Sequence, residues 1–248
     1  IELEDASDVL VADYEKLPRY SHIMIDEAQY YEPIVLRLLA RLAQIPQGTM
    51  TVVGDLEQRI KSEGGLLTWE DTGLKVKPEN INRLDVNYRW SEPVFDFLEQ
   101  FAIASGVEKQ LSRPRVWFSR DGRKPKLRRF QHSEDELEAV VKDVSALRHS
   151  DEAKLWTTAI IVPPSYREMV EEHLIRELNE FAIPTRWAEG EDVKDSVHKV
   201  IVTNYNCIVG LEFDAVYVLG ISEVLDDASP DGTRSMWVAL SRAHNYLF

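Results

Sequence analysis

The hydrophobic positions of the chain form short apolar runs that alternate with stretches of helical spacing. Two such runs, at residues 23–25 and 49–53, end in polar side chains, and a third lies at 157–162, as expected for buried strands of a parallel sheet. Between the first two, Pro33 stands at a first-turn position and apolar residues recur every three or four positions, which predicts a helix over Pro33–Ala43. Alternating strands and helices predict an α/β fold with parallel sheets and right-handed crossovers.

The later part of the chain carries helix-start signals and further strand-like runs. Ser91 followed by Pro93 predicts a helix over residues 92–104, which Gly106 ends. Ser133 and Glu136 have the spacing of a capping box, which predicts a helix over residues 134–148. The remaining predicted helices are 166–181 and 235–240, and the remaining predicted strands are 8–13, 81–86, 127–130, 183–186, 200–203 and 215–219. These elements indicate two α/β units, residues 1–86 and 87–248.

Composition places the chain among soluble globular proteins, with 44% hydrophobic and 29% charged residues. Its net charge of −14 argues against non-specific adhesion to nucleic acid, which needs a basic surface. One local exception is a cluster of eight arginines and lysines between Arg113 and Arg129. This cluster is either a solvated surface connection or a nucleic-acid contact, and the sequence leaves both open.

Cysteine usage and hydropathy bound the cellular setting. The single cysteine, Cys207, excludes an intramolecular disulfide and a cysteine-based zinc site, and it is consistent with the cytoplasmic location that we expect. The sequence contains no run of about 18 apolar residues and no signal-peptide pattern, so no membrane partner is predicted. Because the first residue is Ile1 rather than methionine, we expect a fragment or a processed chain.

Two adjacent carboxylates, Asp26 and Glu27, directly follow the apolar run at residues 23–25. In open parallel sheets, ligands bind at the carboxyl ends of the strands, so acids at this place are suited to hold a metal ion and a water molecule. The alternative is an ordinary acidic first turn of a helix, which the helix dipole stabilises. These two residues alone leave both interpretations open.

Glutamines and arginines elsewhere in the chain favour a nucleotide site. Hydrolysis of a nucleoside triphosphate needs a carboxylate for Mg²⁺, a second carboxylate that deprotonates water, and arginines that neutralise the transferred phosphoryl group. A glutamine can contact the γ-phosphate. The predicted strand ends collect these residue types, at Asp26, Glu27, Gln29, Gln58, Arg89, Glu212 and Arg242.

Five short segments stand in the order of the later motifs of UvrD/Rep-type superfamily 1 DNA helicases, and the chain resembles that family over about residues 20–245. The segments are IDEAQ at 25–29, VGDLEQ at 53–58, NYR at 87–89, GLEFD at 210–214 and VALSRA at 238–243. The resemblance implies a RecA-like P-loop NTPase architecture, in which parallel sheets are flanked by helices. It also implies an incomplete first domain, residues 1–86, and one full second domain, residues 87–248.

The resemblance assigns roles to four residues of the first domain. Asp26 is similar to the Walker B aspartate that is linked to Mg²⁺, and Glu27 to the base that activates water. Gln29 is similar to a γ-phosphate contact. Gln58 is similar to the glutamine that couples the nucleotide to DNA.

In the second domain, the resemblance assigns one set of residues to the transferred phosphate and another to the nucleoside. Arg89 and Arg242 are similar to the two arginine fingers, with a surface ion pair as the alternative for each. Glu212 is similar to the glutamate that hydrogen-bonds the ribose, and Gly210 opens the same motif. Tyr88 is expected near the nucleotide base, with a core aromatic as the alternative.

Two departures from the family pattern change these expectations. The sequence contains no Gly-x-x-x-x-Gly-Lys-Ser/Thr phosphate loop, so this chain by itself should bind ATP poorly and hydrolyse none. In the run at 203–209, Asn204, Asn206 and Val209 replace the threonine, histidine and lysine with which the family contacts DNA. Engagement of a DNA strand is therefore an open question at these positions.

The intact protein is predicted to be an ATP-dependent DNA helicase or translocase that uses ATP and Mg²⁺, moves on single-stranded DNA and unwinds duplex DNA. Stacking candidates, each with a core or rim position as its alternative, are Trp69, Trp90, Trp117 and Trp237. A second interpretation is a degenerate helicase-like binding or regulatory module without ATPase activity. A third, a metal-dependent nuclease, is poorly supported because the acids are dispersed.

Overall fold

A computed structural model of the protein describes residues 20–43, 48–56, 64–72, 74, 76–84, 89–106, 122–189, 200–208, 210–226 and 230–248. The chain divides into two compact units, Ile1–Asn82 and Arg83–Phe248. This division falls at residue 82, close to the boundary at 86 that the sequence pattern indicates. Each unit has its own sheet.

The described part of the first unit contains a two-stranded parallel sheet and an 11-residue helix. Strand β1, His22–Ile25, pairs in register with strand β2, Thr49–Val52, and helix α1, Pro33–Ala43, connects them. The apolar stripe of α1 buries Leu36 completely, and this side chain packs in a small core with Ile25, Ala28 and Leu66. The predicted strands at 23–25 and 49–53 and the predicted helix are thereby confirmed.

Two strand predictions in this part of the chain have other outcomes. The predicted strand at 8–13 lies outside the described residues. The prediction of a strand at 81–86 is wrong for the described positions, 81–84, which have no regular structure and follow a 3₁₀ turn at Pro78–Asn80. Ile81 and Leu84 are 62% and 90% exposed, so their apolar side chains meet no sheet on which a strand could form.

The second unit is built on a five-stranded parallel sheet flanked by helices, an α/β arrangement that is consistent with the RecA-like architecture expected from the sequence. The spatial order of the strands is β4-β5-β3-β6-β7. In chain order they are β3, Thr158–Val162; β4, Thr185–Trp187; β5, Val200–Asn204; β6, Phe213–Val218; and β7, Ala243–Leu247. Every residue of β3 is buried, as the unbroken apolar run at this position predicts.

The helices of the second unit cover this sheet. They are α2, Glu92–Ser105; α3, Ser133–His149; α4, which joins α-helical Arg167–Met169, π-helical Val170–Ile175 and α-helical Arg176–Glu180; α5, Ile221–Asp226; and α6, Pro230–Leu240. Apolar residues of α3 and α4 form one core with the sheet. On α2 and α6, Phe101 and Trp237 stack with their ring centroids 6.4 Å apart. None of the helices in the described ranges is long and apolar enough to cross a membrane.

The helix starts differ in detail from those predicted. Ser91 occupies the N-cap of α2, but its hydroxyl makes no capping hydrogen bond. The capping box at Ser133 is wrong, because His132 is the N-cap of α3 and Ser133 is already helical. The carboxylate of Glu136 instead accepts a hydrogen bond from the backbone N–H of Gly220, at 3.2 Å. Glu136 therefore makes a tertiary contact with Gly220 and does not form the predicted capping box.

The predicted strand at 127–130 is also wrong. Residues 122–130 have no regular secondary structure and run beside β7. The backbone N–H of Arg123 donates to the carbonyl of Asn245, and that of Lys126 donates to the carbonyl of Leu247, each at 2.9 Å. Pro125, between them, has no N–H with which a ladder could continue. We call residues 122–130 the basic segment.

Candidate functional site

In the first unit, the two predicted carboxylates lie in a tight turn at the carboxyl end of β1. Glu27 has a left-handed backbone, with φ 53° and ψ 43°, and it leads directly into a 3₁₀ turn at Ala28–Tyr30. Its N–H donates to Oδ1 of Asp26, at 2.9 Å. A glutamate in this conformation costs about 1–3 kcal/mol, and the surrounding contacts must offset that cost. The outcome is a sharp turn, not the acidic first turn of a long helix.

Gln29 links this turn to the end of β2. Its side chain is fully buried, and its amide nitrogen Nε2 donates to Oε2 of Glu27. Its amide oxygen Oε1 accepts a hydrogen bond from the backbone N–H of Asp55, at 3.0 Å. Both ends of the amide are therefore engaged within the first unit, and Gln29 holds the Glu27 carboxylate in place. The contact of Gln29 with a γ-phosphate stays a prediction.

Asp26 is exposed, and one of its carboxylate oxygens is engaged by the Glu27 N–H. Among the described residues, no group of three or more histidines, cysteines, aspartates or glutamates is arranged to hold a metal ion. Mg²⁺ keeps several of its waters and binds through one or two carboxylates together with substrate phosphates, so it needs no such cage. An exposed aspartate at a strand end fits this mode of binding.

Gly54 allows β2 to approach the Gln29 side chain closely. A Cβ at this position would lie 2.7 Å from Oε1 of Gln29 and 2.9 Å from the backbone nitrogen of Ala28. We expect Gly54→Ala to displace Gln29 and to destabilise the first unit by about 1–3 kcal/mol. Hydrogen–deuterium exchange at the Asp55 amide should accelerate, because its acceptor moves. The matched control is Val53→Ala, at a neighbouring side chain that is 45% exposed, and equal effects of the two substitutions would contradict the prediction.

In the second unit, the predicted residues gather at the amino ends of two neighbouring strands. Glu212 directly precedes β6, and Arg242 directly precedes β7. The Phe213 N–H donates to the Arg242 carbonyl at 3.0 Å, which ties the two strand starts together. Arg89, ahead of α2, reaches the same place. We call Arg89, Glu212, Arg242 and His244 the amino-edge cluster. This cluster lies at the amino ends of its strands, whereas Asp26 and Glu27 lie at the carboxyl end of β1.

Glu212 is the common partner of the amino-edge cluster. It forms an ion pair with Nε of Arg89 and accepts a hydrogen bond from Nε2 of His244, at 2.9 Å. The hydrogen bond from His244, with the positive charge of Arg89, lowers the pKa of Glu212 to about 2 against the opposing effect of burial. Glu212 is therefore ionised at neutral pH, and it is an acceptor only.

Arg242 is held from three directions although it is a charged residue. It is 2% exposed, and its Nε donates to the carbonyl of Val238, at 3.0 Å. Nη1 donates to the carbonyl of Leu211 at 3.3 Å, and Nη2 donates to the hydroxyl of Ser241 at 3.1 Å. These bonds fix the guanidinium beside the residue that precedes Glu212. A buried cation so well fixed is not the surface ion pair that an isolated arginine of a helix end usually makes.

Two further predicted site residues, Gln58 and Tyr88, lie outside the described residues, and Gly210 has a defined role. Gly210 is left-handed, with φ 71°, a conformation that favours glycine and turns the chain into Leu211 and Glu212. Of the four stacking candidates, Trp117 lies outside the described residues and Trp69 is 42% exposed. Trp237 is 2% exposed and is a core residue.

Trp90 supports the amino-edge cluster. Its indole N–H donates to the carbonyl of Ser241, at 2.9 Å, and the Arg89 guanidinium lies 5.7 Å from the centroid of its ring. The ring thus braces both arginine-bearing segments. His244, the remaining member of the cluster, is not predictable from the sequence, because only the pairing of β6 with β7 brings it to Glu212.

The altered run at 203–209 forms a local turn at the carboxyl end of β5. The side-chain oxygen of Asn204 accepts a hydrogen bond from the backbone N–H of Asn206, at 2.9 Å. This is the behaviour of asparagine in turns, where its side chain binds the backbone two residues on. Val209 lies outside the described residues. The side chain of Asn204, the first of the three replaced residues, therefore stabilises the turn in which it lies.

The low pKa of Glu212 makes the stability of the second unit depend on pH. Since the folded pKa lies below the usual 4.5, the stabilisation is complete above about pH 4.5 and is lost as pH falls towards 2. The carboxylate is 38% exposed, so after allowance for solvent screening we expect Glu212→Gln to cost about 1–2 kcal/mol at pH 7. Urea unfolding between pH 7 and pH 3 should show the difference from wild type shrinking in acid. Glu168→Gln, at an exposed glutamate, is the control, and a difference that stays constant with pH would contradict the prediction.

Comparisons with known proteins gave one kind of match. No family model matches the chain, and no curated protein matches it. A solved structure of the C-terminal domain of a possible DNA helicase from Lactobacillus plantarum WCFS1 is similar to it, with 22% sequence identity and a TM-score of 0.41. The match covers 65% of this chain and 85% of that chain. The function proposed below therefore rests on the residues of the chain itself.

Proposed function

We propose that the chain is part of an ATP-dependent DNA helicase or translocase of the UvrD/Rep type. The observation that carries the proposal is the amino-edge cluster, in which a nearly buried arginine, a second arginine and an ionised glutamate converge at two strand starts. A site of this kind offers cations for phosphate oxygens and a carboxylate acceptor for sugar hydroxyls. The order of the five sequence motifs supports the same proposal.

In this proposal, the second unit contacts the transferred phosphate and the ribose of ATP. Arg242 is preorganised, because three hydrogen bonds hold its guanidinium before any charge develops, and preorganised charge is what lowers a phosphoryl-transfer barrier. Arg89 pairs with Glu212, so its contact with a phosphate requires that it exchange one anion for another. Glu212 then retains the hydrogen bond from His244 and accepts one from the ribose.

The first unit supplies the carboxylates in this proposal. Asp26, exposed at the end of β1, would hold Mg²⁺, which would supply positive charge against the phosphates. Glu27 accepts the proton of the attacking water, and the bond from Gln29 orients its carboxylate. The sequence has no phosphate loop, so we propose that a segment outside this sequence binds the β- and γ-phosphates.

One observation favours a second candidate, a helicase-like binding or regulatory module without ATPase activity. Asn204 and Asn206 stand where the family contacts DNA, and Asn204 caps its own turn. Such a module would retain the fold and the amino-edge cluster but would not turn over ATP. The two candidates differ in one measurable property, which is ATP turnover stimulated by single-stranded DNA.

The test measures ATP turnover, with and without single-stranded DNA, in protein that includes whatever sequence naturally precedes Ile1. We expect Glu27→Gln to lower turnover at least about 100-fold, because the glutamine cannot accept the proton of the attacking water. Glu70→Gln, at an exposed glutamate of the same unit, is the matched control and should leave turnover unchanged. If wild type shows no turnover, or if Glu27→Gln turns over ATP as fast as wild type, the proposal is wrong.

A further inference from the structure

We propose that the basic segment, residues 122–130, is a second nucleic-acid contact surface that binds the phosphate backbone without any nucleotide. The segment carries five cations within seven residues: Arg123, Lys124, Lys126, Arg128 and Arg129, all of them exposed. The protein as a whole has a net charge of −14, so this strip is a local reversal of sign. The inference goes beyond the proposed function because it involves none of the residues to which catalysis is assigned.

The backbone of the basic segment is fixed along the edge of the sheet. Hydrogen bonds from the Arg123 and Lys126 N–H groups to carbonyls of β7 hold two points three residues apart. The contacts advance from Asn245 to Leu247, so the segment follows β7 from the amino edge towards the carboxyl edge. From Arg123 to Arg129 the chain spans at most about 20 Å, which is long enough to face several phosphates of one nucleic-acid strand. A flexible tail would lose this spacing.

Aromatic rings of β7 and the chain end position the cations. The Arg123 guanidinium lies 5.9 Å and the Lys126 ammonium 5.3 Å from the centroid of the Tyr246 ring, and the Arg128 guanidinium lies 4.9 Å from that of Phe248. Cation–π contacts of this kind hold a side chain against the protein and leave its charge in solvent. The entropy lost when a phosphate binds is then smaller than for an unrestrained lysine or arginine.

Among the described residues, ion pairs neutralise only part of the charge of the basic segment. Arg123 pairs with Glu152 at 3.1 Å, and Lys126 lies 3.5 Å from Asp143. Within the described part of the chain, no carboxylate forms an ion pair with the other three cations, Lys124, Arg128 and Arg129. Three cations on a fixed strip, without a carboxylate partner in the described ranges, match a partner with regularly spaced negative charges. A nucleic-acid backbone has this property, and it binds through release of its counterions.

The experiment uses the 248-residue chain and a fluorescein-labelled oligothymidylate of about 20 nucleotides, with anisotropy measured from about 50 to about 200 mM KCl and without nucleotide. The test variant combines Lys124→Glu, Arg128→Glu and Arg129→Glu. The control combines Lys142→Glu, Lys154→Glu and Arg176→Glu, which change the net charge equally at exposed positions of the same unit. We expect the test variant to bind about 10- to 100-fold more weakly and its salt dependence to fall by about 2 in log–log slope, and the control to change less than about twofold.

Other outcomes overturn the proposal. Absence of binding by wild type at the lowest salt concentration, or equal weakening in both triple variants, would show that the strip is no binding surface. If wild type binds polyglutamate, or vesicles that contain phosphatidylserine, as tightly as it binds oligothymidylate, the basic segment binds anions in general and is not a nucleic-acid surface. Arg242→Ala separates this proposal from the one above, because it should leave oligothymidylate binding intact even where ATP turnover fails.

Discussion

Replacing Arg242 by alanine is expected to lower ATP turnover about 1,000-fold in protein that carries the natural sequence preceding Ile1. The guanidinium is fixed by Val238, Leu211 and Ser241, so in the proposed mechanism its charge would be in place before phosphoryl transfer. The same substitution removes the Arg242 donor from the carbonyls of Leu211 and Val238, of which Val238 keeps the hydroxyl of Ser241, and it should destabilise the second unit by about 1–3 kcal/mol. Arg242→Lys keeps the charge but cannot serve three acceptors in different directions, so we expect it to recover only a small part of the turnover.

A control for Arg242 must separate lost stability from lost catalysis. Arg148 is a partly buried arginine of the same unit, and its Nη1 donates to the carbonyl of Lys154, at 3.0 Å. Arg148→Ala should lower the free energy of unfolding and leave kcat unchanged at a temperature where both variants are folded. If Arg242→Ala retains more than about a tenth of wild-type kcat under those conditions, Arg242 has a structural role only.

The elements that hydrophobic pattern alone determines were predictable from the sequence. The helix Pro33–Ala43 is found at the predicted residues, and the fully buried β3 follows from an unbroken apolar run. The failures share a cause: the predicted strands at 81–86 and 127–130 have strand-like composition, but the described residues there have no ladder partner. Strand propensity reports a fit to a half-buried sheet surface, and the sequence does not reveal whether that surface exists.

The candidate site was predictable as a set of residues but not as an arrangement. Asp26, Glu27, Arg89, Glu212 and Arg242 were identified from motifs, and the structure brings the last three together. That Glu27 would be left-handed and that Gln29 would bridge two strand ends depends on the approach of β2 at Gly54. The bond between Gln29 and Asp55 joins residues 26 positions apart, so no local pattern encodes it.

The register of the sheet also decides which residues complete the amino-edge cluster. His244 is the second residue of β7, and it meets Glu212 because β6 and β7 start side by side. Its hydrogen bond is the largest cause of the low pKa of Glu212. A residue that sets the charge of the site was therefore invisible until the strand order was known. The partners of Asp143 on α3 depend on strand register in the same way, because this carboxylate binds the hydroxyls of Tyr217 on β6 and Tyr246 on β7.

Replacing Asp143 by alanine is expected to destabilise the second unit by about 2–5 kcal/mol. One oxygen of this carboxylate, Oδ2, accepts hydrogen bonds from the hydroxyls of Tyr217, at 2.8 Å, and Tyr246, at 2.7 Å. Both tyrosines are almost completely buried, so the substitution leaves two hydroxyls without an acceptor in an apolar core. Burial, together with the negative charge of Asp143, raises the pKa of both tyrosines, which keeps them protonated as donors. Urea unfolding followed by tryptophan fluorescence measures the loss.

The matched variants for Asp143 distinguish an unsatisfied hydroxyl from a simple loss of packing. In the triple variant Asp143→Ala, Tyr217→Phe and Tyr246→Phe, no hydroxyl remains to be satisfied, and we expect more than half of the lost stability to return. Asp143→Asn keeps one oxygen acceptor and should lie between wild type and Asp143→Ala. If the triple variant is less stable than Asp143→Ala alone, the cost lies in packing, and the two tyrosine hydroxyls do not depend on Asp143. Lys126 of the basic segment also lies close to Asp143. The same variants therefore test whether Asp143 helps to hold the basic segment against β7.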